Sequence, residues 1–345
     1  MSTSSPQTLT DSFGRRVNNL RISVTDRCNF RCSYCMPEEG MVWLKKQDLL
    51  SYEEISRLVH IFSGLGISKL RLTGGEPLMR HDLHLLVEKL NRIPGIRDIA
   101  LTTNGFFLAE QALNLYKAGL RRINVSMDSL DPKTFSEMVR RDYLHKVWEG
   151  LDAIEKLPIR PIKVNAVMVR GINDNEIEAF ARLARAKPFV IRFIEFMPIG
   201  AEDGWSIDKV VPTQEIIDRI NAMGHRLIPK ETHKPAHSSP TTPAIHDAAD
   251  RYQFEDGQGE IGFISSVSQP FCSSCNRIRI TSDGKLRTCL FSLHETDLRA
   301  MVRNGASDDE IRRAIIDAVW KKEEGHLINR PGFVRPDRTM SQIGG

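Results

Sequence analysis

The chain has 345 residues, 41% hydrophobic and 27% charged, with a formal net charge of +4. That balance fits an ordinary soluble globular protein and excludes the dense basic face of a general nucleic-acid binder. No apolar run approaches the roughly 18–20 residues that span a bilayer, and the polar stretch Met1–Asp11 lacks the basic and apolar regions of a secretory leader; a cytoplasmic location without a membrane partner is expected.

The length suits one α/β barrel with an extension. Residues 1–15 read as a flexible N-terminus and 16–225 as a partial barrel. Residues 226–250 read as an irregular loop and 251–345 as a C-terminal extension. In chain order, strands are expected at Leu20–Val24, Lys69–Leu72, Asp98–Thr102, Arg122–Ser126, Ile162–Val169 and Val190–Phe196. Amphipathic helices are expected between and after them at Ser51–Gly64, Asp82–Ile93, Leu108–Ala118, Asp131–Glu137, His145–Leu157 and Asn175–Ala186. Ser51 and Glu54 form a capping-box pattern at the start of the first. Six such units predict a parallel sheet, doubly wound or curled into an incomplete (β/α)6 TIM-like barrel. Either way the chemistry belongs at the C-terminal ends of the strands. The segments found there are Thr25–Cys28, Thr73–Pro77, Thr103–Gly105, Met127–Ser129 and Met197–Pro198.

Beyond residue 200 the pattern changes. Gly224–Asp250 is rich in Pro, His, Ser and Thr and predicts an irregular loop. Short strands follow at Tyr252–Phe254 and Glu260–Ile264, then a hairpin of Ile278–Ile280 and Lys285–Thr288 around Asp283–Gly284. A last helix runs from a Ser307 cap through Trp320, with Glu310 in capping-box position.

The six cysteines fall into two triplets far apart in sequence. A large chain without an export signal would keep them reduced, so metal or cluster binding is preferred over disulfides. Cys28, Cys32 and Cys35 read C-x3-C-x2-C within CNFRCSYC. Zinc normally takes four protein ligands, and the first histidine is distant, at His60. Three thiolates on a [4Fe–4S] cluster leave one iron open to a non-protein ligand. A structural metal completed by a distant residue is the alternative. Following a first strand, with an aromatic before the last cysteine, this motif resembles the radical S-adenosylmethionine superfamily. Gly74–Gly75–Glu76–Pro77 resembles that superfamily's second motif, a loop that contacts the methionine amino group.

Cys272, Cys275 and Cys289 read C-x2-C-x13-C, and His294 follows them. On spacing alone a Cys₃His zinc site competes evenly with a second cluster. Strand alternation puts Arg277 and Arg279 on one face. Two guanidinium forks beside a metal site suit an anion; a solvated basic edge is the alternative.

Together the triplets resemble the molybdenum-cofactor biosynthesis protein A family, the GTP 3′,8-cyclases. The match runs along essentially the whole chain: LRISVTDRCNFRCSYCMP, RLTGGEPLMR, LTTNG, NVSMDSL, RFIEFMP, CSSCNRIRIT and Gly344–Gly345. It implies a radical S-adenosylmethionine barrel whose extension carries a second [4Fe–4S] cluster on Cys272, Cys275 and Cys289, with guanine on its open iron. Tyr34, Gly75, Glu76, Ser126 and Met197 match S-adenosylmethionine contacts. Arg21, Arg71, Thr102, Lys163, Arg277, Ile278 and Arg279 match GTP contacts, and Lys69 and Arg192 are further cation candidates. Cations in barrel strands are costly unless they face a partner, and a triphosphate is one. Each alone is equally well a salt-bridged structural residue.

The implied reaction starts with a 5′-deoxyadenosyl radical made at the first cluster, which takes the hydrogen from C3′ of GTP. The C3′ radical attacks C8 of guanine, and one electron and one proton complete the cyclised nucleotide. Arg277, Arg279, Gly344 and Gly345 are implied to serve this step beside the first cysteines. A flavodoxin- or ferredoxin-like electron donor and a downstream cyclic pyranopterin monophosphate synthase are the implied partners, with the chain a monomer or homodimer. Rival assignments are another two-cluster enzyme of the superfamily and a non-catalytic iron–sulfur or zinc-binding protein.

Overall fold

In a computed structural model of the protein, which describes residues 8–39, 41–199, 204–230 and 249–344, six strands alternate with helices through the first two thirds of the chain. They are β1 (Asn19–Ser23), β2 (Lys69–Thr73), β3 (Asp98–Thr103), β4 (Arg122–Ser126), β5 (Ile162–Met168) and β6 (Phe189–Glu195). The helices between and after them are α1 (Tyr52–Gly64), α2 (Leu83–Asn91), α3 (Leu108–Lys117), α4 (Pro132–Val139), α5 (Leu144–Glu155) and α6 (Ile177–Ala186). All six strands are parallel and pair in sequence order. This is the incomplete (β/α)6 barrel expected from the alternation. β5 and β6 are buried along nearly their whole length, as strands covered on both faces must be.

The rest of the chain extends this sheet at both edges rather than at one end. After α7 (Thr213–Ala222) come β7 (Leu227–Pro229), β8 (Asp250–Phe254) and β9 (Glu260–Ile264), and β9 lies parallel to β6. Phe193 of β6 stacks on Phe263 of β9 with ring centroids 5.9 Å apart, both rings fully buried. The chain then crosses to the far edge, where β10 (Arg277–Ile280) lies parallel to β1. It is followed by β11 (Lys285–Arg287), β12 (Thr296–Asp297), α8 (Leu298–Arg303), α9 (Asp308–Trp320) and the short α10 (Met340–Ile343). The twelve-stranded order is β12-β11-β10-β1-β2-β3-β4-β5-β6-β9-β8-β7.

The stretch expected to be irregular from Gly224 onward begins instead with β7, because β8 offers an antiparallel edge to Leu227–Pro229. Residues 231–248 of that stretch lie outside the described residues. Among the described residues no helix is long and apolar enough to cross a membrane.

Both predicted capping boxes form. Ser51 Oγ accepts from Glu54 N at 3.1 Å, while Ser51 N donates to the Glu54 carboxylate at 2.7 Å. Ser307 and Glu310 repeat the exchange at the start of α9. Substituting Ser51→Ala, which strands one N–H of the first turn, is expected to lower unfolding stability by about 1 kcal/mol in urea denaturation.

Candidate active site

The C-terminal ends of the strands open on a cavity of about 300 Å³ that both cysteine triplets line. All six thiols are free and half-buried. The first triplet sits on the loop after β1. The second is divided, Cys272 and Cys275 lying on the turn before β10 and Cys289 just after β11. The pairing of β10 with β1 is what brings them together.

Close backbone approach explains the glycines after β2. A Cβ on Gly75 would lie 2.3 Å from Arg27 O and 2.4 Å from Asp26 O, and one on Gly74 would lie 2.6 Å from Thr25 O. In that space Gly75 N donates to Thr25 O at 2.7 Å and Glu76 N to Arg27 O at 2.7 Å. The loop is thereby strapped to the segment leading into Cys28. Glu76, expected against S-adenosylmethionine, does not itself line the cavity; its buried carboxylate accepts from Thr103 Oγ1, Asn104 N and Leu78 N at 2.7, 2.7 and 2.9 Å. Burial pushes its pKa up to about 7.

Two residues that the sequence placed in strand-end segments without an individual role also face the cavity. Asn104 donates to Asn29 Oδ1 at 2.8 Å and reaches Cys28 Sγ at 3.8 Å. Asp128 accepts from Tyr34 Oη at 2.6 Å and from Val167 N at 2.9 Å, and burial pushes its pKa up to about 6. Both lie at strand C-termini, within LTTNG and NVSMDSL, so position in the fold was the available signal.

The donor chemistry of the first triplet suits a cluster. Burial pushes the Cys28 thiol up to about 12 and raises Cys32 and Cys35 well above the ordinary thiol value, neighbouring negative groups adding to the effect. Such thiols ionise only beside strong positive charge, which bound iron supplies. Among the described residues no three His, Cys, Asp or Glu side chains converge closely enough for a single metal ion. A cubane assigns each thiolate to a separate iron and requires no such convergence. His294, the fourth ligand of the alternative zinc site, is exposed and does not line this cavity. At the second triplet, burial would raise Cys275, but Lys322, Arg277 and Arg15 outweigh it and hold that thiol below its ordinary value.

Across three adjacent strands the register sets Arg279, Arg21 and Arg71 side by side. Arg192 and Arg277 line the same cavity. Burial, then Arg277, Arg279, Arg71 and Arg192, press the Arg21 pKa well below the ordinary guanidinium range. Arg21 Nε and Asn19 Oδ1 are buried with no hydrogen-bond partner among the described residues. Arg71 donates to Thr102 Oγ1 at 3.3 Å, and Arg192 to Asn165 Oδ1 and Asn124 Oδ1, both at 2.8 Å. Arg277 lies over the Phe271 ring, 4.7 Å from its centroid. Arg279 donates to Gly344 O at 2.9 Å. A row of like charges in low dielectric calls for an anion.

Of the other expected site residues, Tyr34, Gly75, Thr102, Ser126 and Met197 line the cavity. Lys69, Lys163 and Ile278 do not. Lys69 lies at the opposite, N-terminal end of β2, Lys163 is buried on β5, and Ile278 faces the apolar core because alternation turns it away from Arg277 and Arg279. Gly344 reaches the site through Arg279, and Gly345 lies outside the described residues.

Comparison with known proteins identifies the family and the fold. The profile described as Radical SAM superfamily matches residues 22–184, and Molybdenum Cofactor Synthesis C matches 189–328. The solved structure of Streptococcus suis SuiB bound to S-adenosylmethionine superposes with a TM-score of 0.57 at 14% identity, covering 93% of this chain and 77% of that one. That likeness shows the fold. The GTP 3′,8-cyclase of Thermodesulfovibrio yellowstonii is 45% identical, with 97% of this chain and 99% of the relative covered. That of Paenarthrobacter nicotinovorans is 42% identical, covering 98% and 97%. With identity of that order sustained from end to end of its relatives, the chain belongs to the GTP 3′,8-cyclase family of radical S-adenosylmethionine enzymes.

Proposed function

We propose that this chain cyclises GTP to (8S)-3′,8-cyclo-7,8-dihydroguanosine 5′-triphosphate, an early step toward the molybdenum cofactor. The observation that carries the reading is one cavity lined by two cysteine triplets and a row of arginines in register. Cys28, Cys32 and Cys35 would hold the [4Fe–4S] cluster that binds S-adenosylmethionine, and Cys272, Cys275 and Cys289 a second one facing the nucleotide base. Loaded and reduced, the first cluster would supply the electron that splits bound S-adenosylmethionine into methionine and the 5′-deoxyadenosyl radical, the species that would take hydrogen from C3′ of the nucleotide.

The chain's own part is placement. Gly75 keeps the loop after β2 low against Arg27, leaving room for the methionine moiety beside Cys28, while Tyr34, Ser126 and Met197 border the rest of the cofactor space. Arg21, Arg71 and Arg279 gather the triphosphate, with Arg192, Arg277 and Thr102 beside them. Lys69 and Lys163 share strand faces with Arg71 and Asn165 and add positive charge below the cavity, while Ile278 packs into the core behind it. Arg279 also holds Gly344 against the site, so that Gly344 and Gly345 help exclude water from a radical reaction. In this reading residues 16–225 form the cofactor barrel and 251–345 the substrate-binding extension. A flavodoxin- or ferredoxin-like protein donates the electron in the cytoplasm, and a cyclic pyranopterin monophosphate synthase consumes the product.

Anaerobic incubation with GTP, S-adenosylmethionine and a reductant is expected to give 5′-deoxyadenosine and a cyclised nucleotide together. Deuterium placed at C3′ of GTP should appear in the 5′-deoxyadenosine by mass spectrometry; its failure to do so removes the hydrogen-abstraction step. Arg21→Met removes one charged contact to the nucleotide and should weaken GTP binding roughly 10- to 100-fold by equilibrium dialysis. Gly344 adopts φ +80°, and a Cβ there would lie 2.7 Å from Thr73 Oγ1 and 2.8 Å from Ser23 Cβ. Deleting Gly344 and Gly345 is therefore expected to abolish cyclisation with iron content unchanged, and full activity in that variant would make the segment dispensable.

A further inference from the structure

Lys322, just past the end of α9, is only 3% exposed. Its ammonium donates to Arg277 O at 3.1 Å and, over a shorter contact, to Thr288 O. Those two carbonyls flank the separate segments that carry the second triplet: Arg277, the first residue of β10, follows Cys275 by two residues, and Thr288 directly precedes Cys289. One side chain thus ties the β10 side of the site to the β11 side. Among the described residues no carboxylate forms an ion pair with it. The adjacent Glu323 instead accepts from Thr288 Oγ1 at 2.7 Å. Burying an ammonium against carbonyls alone is costly unless a negative charge stands near.

A second buried cation offers a contrast. Arg15 spends its donors on Cys272 O, Glu324 O and Glu323 O at 2.8, 2.6 and 2.5 Å, and its Nε pairs with the buried Asp11 carboxylate at 2.6 Å. Its charge is matched, so it serves as a strut. The Lys322 ammonium is instead held between two backbone carbonyls, one two residues after Cys275 and one directly before Cys289, which sets its charge beside the triplet. The first triplet has the opposite surroundings, with the buried carboxylates Glu76 and Asp128 close by.

We propose that Lys322 is a positioning residue of the second triplet, binding its two loops together and raising the reduction potential of the cluster held there. One-electron reduction of a [4Fe–4S] cluster adds one negative charge, which a fixed ammonium stabilises. The inference rests on the reading that Cys272, Cys275 and Cys289 hold such a cluster.

Iron and sulfide analysis of the reconstituted protein tests that reading first: about eight irons per chain are expected for two cubanes. Four irons, or zinc at the second triplet, would remove the reading and the inference with it. With eight present, mediated redox titration followed by electron paramagnetic resonance reads each cluster. Lys322→Gln keeps hydrogen-bond donors but not the charge. It should shift the second cluster's midpoint to more negative potential and leave the first unchanged, and Lys322→Arg should restore the wild-type value. An unmoved midpoint in an eight-iron Lys322→Gln protein overturns the proposal. Should Lys322→Gln lose the second set of irons, Lys322→Arg decides. Eight irons at the wild-type potential support the role of the charge; iron loss there too marks the lysine as packing alone and overturns it.

Discussion

The alignment of Arg277–Ile280 beside Asn19–Ser23 is the constraint on which the site depends. It is a parallel pairing between segments at opposite ends of the chain, sealed by Asn18 and Asn276, whose side chains bond at 2.8 Å. Because both strands run the same way and share register, Arg21 meets Arg279 while the two cysteine loops face one cavity. A slip of one residue would turn Arg277 and Arg279 into the core and bring Ile278 out. The register is specified by one face of the two strands and used for chemistry by the other.

Like charges in register oppose the pairing that places them, and the fold offsets this by burial elsewhere. Leu20, Ile22, Ile278 and Ile280 occupy the alternate positions of the same two strands and are essentially inaccessible to solvent. The hydrophobic faces hold the strands together while the polar faces remain electrostatically strained, with Arg21 Nε lacking a hydrogen-bond partner among the described residues. A site in this state is preorganised for an anion, since the cost of gathering the cations is met in folding rather than in binding.

Much of this was legible in the sequence because it depends on local patterns. The β/α alternation, the two capping boxes and the crowding of Gly, Cys and polar residues after strands all follow from short-range periodicity. The two triplets announced themselves by spacing. Non-local relations were not legible. Nothing in Glu76 itself says that its carboxylate accepts from Thr103 and Asn104, and nothing in Lys69 says that it stays out of the cavity lining. Asn104 and Asp128 stood in segments expected at the strand ends, but their partners Asn29 and Tyr34 become visible only in the fold. The extension's division between both edges of the sheet is likewise invisible to composition, because β7 and β10 acquire their partners from distant segments.

The seam between Asn18 and Asn276 spans 258 residues of sequence, and this sets an order on the making of the protein. The outer edge of β1 has no partner until translation has passed Ile280, so a nascent chain carries its first cysteine triplet beside an open sheet edge for most of its synthesis. Such edges are where intermediates aggregate. The wall between the two triplets closes only late, and the cavity takes its final form as an act of nearly the whole polypeptide.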